Sequence, residues 1–147
     1  MCITYRCKQG GDHDRYEGLV HRYGDPDHPL VRYTRAYFYD DGDGLMRYAP
    51  DAVAWFRRHG EDYAAELAET GGVAAGLMNT GRFPELDDYV STLAARYRAQ
   101  GPPTLLYVAV SMLGYSALLQ GKPDLADRFF DEAVSVEVPD RTITVNK

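Results

Sequence analysis

Glycine-containing turns recur at Gly42, Gly81 and Gly121, 39 and 40 residues apart, and each stands between two helix-patterned segments. In those segments apolar residues return every third or fourth position instead of alternating, which is the period of a helix face. Leu45, Ala49, Val53 and Phe56 form one such series, and Leu86, Tyr89, Val90, Leu93, Ala94 and Tyr97 form another. Near the end, Leu125, Ala126, Phe129, Phe130, Ala133 and Val134 make a broad stripe opposite Asp124, Asp127, Arg128, Asp131 and Glu132. A single helix pair cannot bury its apolar faces alone, so a period of this size built from pairs implies stacked neighbours, an α-solenoid.

The patterning predicts helices over 13–23, 29–40, 45–58, 61–79, 83–99, 103–120 and 123–136. The third could begin as late as Pro50, and Gly71-Gly72 weakens the fourth. Pro84 and Pro123 suit first-turn positions, and Asp51, Glu61, Glu85 and Asp124 put negative charge near helix N-termini. Gly60, Gly81, Gly101 and Gly121 follow helices, where a left-handed cap is wanted. Only Thr142 to Val145 reads as β-prone. The expected fold class is all-α: a right-handed α-solenoid of about three helix pairs with an extra N-terminal helix. The repeat domain spans 13–139, between a flexible leader, 1–12, and a tail, 140–147.

Charge and cysteine usage exclude several classes of function. The chain carries 16 Lys and Arg against 22 Asp and Glu, a net charge of −6. Acidic against basic residues number 8 to 7 over 1–50, 8 to 5 over 51–100 and 6 to 4 over 101–147, so no third is basic. Nucleic-acid binding needs a concentrated Lys/Arg surface, so no nucleic acid is expected as a direct partner. Cys2 and Cys7 do not fit a Cys-x-x-Cys redox pair, and two thiols cannot form a structural zinc site alone. The polar N-terminus lacks a signal-peptide core. The longest apolar stretch, Leu105 to Leu119, is broken by Ser111, Gly114 and Ser116 and is short for a bilayer. A cytoplasmic chain without a membrane partner is the expectation.

In the last helix pair, Leu113-Gly114, Gly121, Ala126, Phe130 and Ala133, with Pro139 beyond, resemble the tetratricopeptide repeat. The resemblance implies small residues, Gly114 and Ala126, where two antiparallel helices cross, with Phe130 plugging the gap between them. It covers 107–139 well; 67–100 and 28–60 are degenerate copies. Over about 28–137, His28-Pro-Leu-Val-Arg-Tyr33, Asp41-Gly-Asp-Gly-Leu-Met46, Ala54-Trp-Phe-Arg-Arg-His-Gly60 and Leu118-Leu-Gln-Gly121 resemble the helical-repeat region of actinobacterial regulators. These are the antibiotic-regulatory-protein and bacterial-transcriptional-activator families, and the resemblance implies an interaction module in transcriptional regulation. The sequence has neither their winged-helix region nor a Gly-x-x-x-x-Gly-Lys-Ser/Thr loop, so DNA binding and ATP hydrolysis are not carried over.

Catalytic and metal signatures are weak. Aligning Gly44 with the invariant glycine of a calcium loop puts Tyr39 at the first ligand and Pro50 at the last, which defeats chelation. The cluster Asp40 to Gly44 therefore reads as an interhelical turn. His13, Glu17 and His21 could share a helix face, but Arg15 and Arg22 lie close by and no fourth ligand is adjacent. No serine-nucleophile elbow or dinucleotide fingerprint occurs. No enzyme activity, cofactor or metal is expected.

Tyrosine, 12 of 147 residues, is the unusual component. Rigid amphipathic aromatics suit both interhelical packing and interfaces. The resemblance implies a concave groove lined by the first helix of each pair: Arg32 and Ala36 from the first, Ala75, Met78 and Asn79 from the second, and Ser111, Tyr115 and Leu118 from the third. With Tyr33 and Tyr37 on the aromatic helix, the candidate partner-binding residues are Arg32, Tyr33, Tyr37, Asn79, Ser111 and Tyr115. The segment 103–119 is apolar nearly all round, so something must cover it. A homodimer through the last repeat, with Leu118 and Phe129 in the interface, answers that need. The leading expectation is a non-enzymatic protein- or peptide-binding scaffold. The alternative is a small helical ligand-binding protein or enzyme with a pocket of Arg32, Tyr33, Tyr37 and His59.

Overall fold

Proline and side-chain caps set where the helices begin. In the computed structural model, which describes residues 13–137, the elements are α1 (His13–Tyr23), α2 (Pro29–Phe38), α3 (Gly42–Arg58), α4, α5 (Phe83–Gln100), α6 (Pro103–Leu119) and α7 (Pro123–Ser135). Helix α4 runs as Asp62–Ala68, a π-helical segment Glu69–Val73, and Ala74–Asn79. The fold is all-α, with no strand among the described residues. Cys2, Cys7, Pro139 and the β-prone stretch 142–145 lie outside them. Pro29, Pro84, Pro103 and Pro123 occupy first turns, where a missing N–H costs nothing.

Helix α3 starts three residues before the expected position because Asp41 caps it. Asp41 Oδ1 accepts a hydrogen bond from Gly44 N at 2.9 Å, so Gly42 to Gly44 form a first helical turn in place of a loop. Pro50 lies inside this helix instead of starting it.

One turn design recurs. Asp40, Gly60, Gly81 and Gly121 adopt positive φ of 53°, 73°, 71° and 72°, each two residues past a helix and two before the next. Closing hydrogen bonds run from Asp41 N to Ala36 O, Glu61 N to Phe56 O and Lys122 N to Ala117 O, each 2.9 Å, the six-to-one bond of a Schellman cap. The position that repeats is thus Asp40, not Gly42, at intervals of 41 and 40 residues to Gly81 and Gly121. Gly101 departs from the expected left-handed cap. It is extended (φ −90°, ψ 165°), and a Cβ there would meet Tyr97 Cα at 2.5 Å.

The chain divides into two compact units, Met1–Gly81 and Arg82–Lys147. In the first, α3 packs against α2 and α4. Its core is Leu45, Ala49, Ala52 and Val53 from α3, with Ala36 and Phe38 from α2 and Ala65, Ala68, Ala74 and Leu77 from α4. So many small residues let backbones approach: a Cβ on Gly76 would stand 2.9 Å from Gly42 O and 2.7 Å from Met46 Cγ. The π-helical segment combines a local bond with a tertiary contact. Buried Thr70 donates its hydroxyl to Glu66 O at 2.9 Å, loosening the ladder, and bare Gly72 accepts the Tyr33 ring.

In the second unit α6 packs against both α5 and α7. Leu86, Val90, Leu93, Ala94 and Tyr97 meet a core that includes Leu105, Ala109, Val110, Leu113 and Ala117. Gly114 forms the notch expected for Phe130, since a Cβ there would lie 2.6 Å from Phe130 Cε1. Buried Ser116 donates to Asp87 Oδ1 at 2.6 Å, and Gln120 Nε2 donates to Asp87 Oδ2 at 2.8 Å, fixing the register of α5 on α6. Arg98 reaches Glu132 with two hydrogen bonds, 2.6 and 2.9 Å, and that bond raises the pKa of its guanidinium. A pair this exposed adds little stability.

Aligning the three turns brings the cores into register. Positions five, nine and twelve after the positive-φ residue are Leu45, Ala49 and Ala52, then Leu86, Val90 and Leu93, then Ala126, Phe130 and Ala133. All are buried except Phe130, which is half-buried. Seven positions before the turn stand Tyr33, Ala74 and Gly114. Gly114 faces the Phe130 ring, and the Tyr33 ring lies against bare Gly72.

Candidate functional site

Both faces of α2 line open cavities within the first unit. One cavity, about 430 Å³, lies between α2 and α4. Leu30, Val31 and Thr34 form one wall, Ala64 and Leu67 the other, with Tyr33, Phe56 and Ala68 completing it. Tyr33 is held in place because a Cβ at Gly72 would fall 2.8 Å from its Cε2 and 3.0 Å from Ala49 Cβ. Burial, with a smaller contribution from Tyr37, pushes the Tyr33 phenol up to about 12. It stays a neutral hydroxyl on an apolar wall, so this cavity can take an uncharged side chain.

The second cavity, about 670 Å³, opens on the opposite face of α2, toward the start of α3. Arg32 and Arg35 come from α2, Arg47 and Tyr48 from α3, and Tyr39 and Asp41 from the turn between them. Asp27 closes one side and accepts from Arg32 Nη2 at 2.6 Å, which raises the pKa of that guanidinium. The Arg32 guanidinium also lies 5.9 Å from the Tyr48 ring centroid. Arg35 Nε donates to Glu17 at 3.1 Å, and Tyr39 donates its hydroxyl to the same Glu17 oxygen at 2.9 Å. Arg47 makes no ion pair among the described residues.

The candidate partner residues are thereby sorted. Arg32 lines the arginine cavity and Tyr33 the apolar one. Tyr37 and Asn79 are exposed, and Ser111 is half-buried. Tyr115 is 55% exposed and packs edge-on to Phe130, ring centroids 5.3 Å apart. Leu118 is 52% exposed and Phe129 half-buried. The four residues Arg32, Tyr33, Tyr37 and His59 do not share either cavity. His59 instead stacks on Trp55 at 3.9 Å, its Nδ1 2.8 Å from Trp55 O.

Arg35, Arg47 and Tyr48 were outside the sequence expectation. Arg35 and Arg47 stand five before and seven after Asp40, and residues nearly equidistant from a hairpin turn face one another across it. That symmetry was the available signal. Among the described residues no cluster of three His, Cys, Asp or Glu could hold a metal ion, and no helix is long and apolar enough to cross a membrane. Glu17, considered as a ligand between His13 and His21, is hydrogen-bonded to α2 and the turn after it.

No protein-family model, curated protein or solved structure matches the chain.

Proposed function

We propose that the chain is a non-enzymatic, tetratricopeptide-like right-handed solenoid that binds an extended or helical peptide, in a cytoplasmic setting such as transcriptional regulation. The observation that carries this reading is the apolar cavity between α2 and α4, the first helices of two successive pairs. That is the place where a stacked-pair protein offers its groove. The recurrence of one turn at Asp40, Gly81 and Gly121, and the Gly114 notch filled by Phe130, support the repeat architecture. The buried hydroxyls of Thr70 and Ser116 are engaged by Glu66 O and Asp87, an arrangement suited to packing.

The mechanism is preorganised shape. Val31, Phe56 and Leu67 are set by the helices before a ligand arrives, so an apolar anchor binds with little ordering cost. Selection of a displayed random-peptide library on the full chain should enrich peptides with one large apolar anchor. Leu67→Asp, which places a charge in the cavity wall, should weaken such a peptide by about tenfold or more. No enrichment, or binding unchanged in both Leu67→Asp and Val31→Asp, overturns the reading.

Self-association through the last pair belongs to the same proposal, with a second copy of the chain as the occupant. Tyr107, Tyr115, Leu118 and Leu119 all remain exposed along one side of α6. Light scattering across a concentration series should give a dimer for the wild type. Leu118→Asp should give a folded monomer, because a side chain this exposed is not part of the core. A concentration-independent wild-type monomer rejects the interface.

A further inference from the structure

The geometry points to the arginine cavity as a second, separate binding site for a small phosphomonoester whose body is a planar ring. In a chain of net charge −6, three arginines from two helices line one open space. Two are oriented by carboxylates that engage only part of each fork: Asp27 takes one terminal nitrogen of Arg32, and Glu17 takes Nε of Arg35. A guanidinium has five donors, so donors on Arg32 and Arg35 remain for a ligand, and those of Arg47 are uncommitted among the described residues.

The carboxylates on this wall already have tasks. Asp27 holds Arg32, and Asp41 caps α3 through Gly44 N. A phosphomonoester, with three acceptor oxygens and close to two negative charges, matches several guanidinium forks better than a carboxylate with two oxygens. The wall beside the arginines is aromatic. Tyr39 and Tyr48 line the space, and Arg32 already lies over the Tyr48 ring. A planar ring esterified to the phosphate would meet these faces while the phosphate meets the forks. The volume, about 670 Å³, is that of a small-molecule site.

This site lies on the face of α2 opposite the peptide cavity, so the two proposals can fail independently. Calorimetric titration of the full chain at low salt should show phenyl phosphate binding with a dissociation constant of about 1 mM or tighter. Inorganic phosphate should bind more weakly and phenol more weakly still. Arg47→Gln changes an exposed side chain and should weaken phenyl phosphate about tenfold, with peptide binding unchanged. Arg47→Lys should recover only part of the loss, because an ammonium lacks the fork. Absence of saturable phenyl phosphate binding, equal binding of phenol, or unchanged affinity in Arg47→Gln overturns the site.

Discussion

Gly76→Val is expected to lower the stability of the chain by about 3 kcal/mol and its thermal midpoint by about 10 °C. The cause is the crossing of α3 and α4. A Cβ at Gly76 would lie 2.7 Å from Met46 Cγ, 2.9 Å from Gly42 O and 3.1 Å from Met46 N. Met46 Cγ can move aside, but Gly42 O and Met46 N are backbone, so the first turns of α3 must back away. That retreat would strip packing from Leu45 and Ala49, both essentially fully buried. Helix propensity works the other way, because any residue but proline improves on glycine inside a helix, by up to about 1 kcal/mol for alanine. Gly71→Ala separates the two effects. Nothing lies within 4 Å of a Cβ at Gly71, so this change in the same rod should be neutral or stabilising. Urea unfolding of both variants checks the pair. Equal stability for Gly76→Val and wild type would mean that the crossing is looser than these distances require.

The helices were largely legible in the sequence because their boundaries are local chemistry. Prolines in first turns and glycines at positive φ are dictated by the backbone of the residue itself, and they delimit α5 and α7 almost to the residue. The start of α3 was not legible in the same way. Asp-Gly-Asp-Gly is good turn sequence, and it becomes helix where the Asp41 cap is joined by close packing of bare Gly42 against Asn79 and Thr80 at the end of α4. Gly71-Gly72 posed a similar problem. The weakness shows in the sequence, but its outcome as a π-helical segment depends on Tyr33 arriving from α2.

The cavities show the same division. The sequence groups Arg32 and Tyr33 in one aromatic-basic cluster, yet adjacent residues on a helix point about 100° apart, and these two serve cavities on different faces. Arg47 and Tyr48 join Arg32 only because the turn at Asp40 folds α3 back along α2.

Raising the pH should destabilise the wild-type chain more than Tyr33→Phe, with the difference developing between pH 10 and 12. The folded chain holds the Tyr33 phenol up at about 12, mainly because burial penalises the phenolate and secondarily because Tyr37 is near. The unfolded chain releases the same proton near pH 10. Below pH 10 both states carry the proton and Tyr33 contributes no pH dependence. Between the two values the unfolded state binds fewer protons than the folded one, so stability falls as pH rises. Two units of displacement correspond to a loss of about 2 to 3 kcal/mol by pH 12. Tyr33→Phe removes the ionisation while keeping the ring over Gly72, so its stability should fall less steeply over this window. Any constant offset from the lost hydroxyl cancels when slopes are compared, and the remaining tyrosines titrate in both proteins. Urea unfolding at pH 8, 10, 11 and 12 supplies the two curves. Parallel curves would mean that the Tyr33 phenolate reaches solvent in the folded chain, and the apolar cavity it lines would then be wetter than its side chains require.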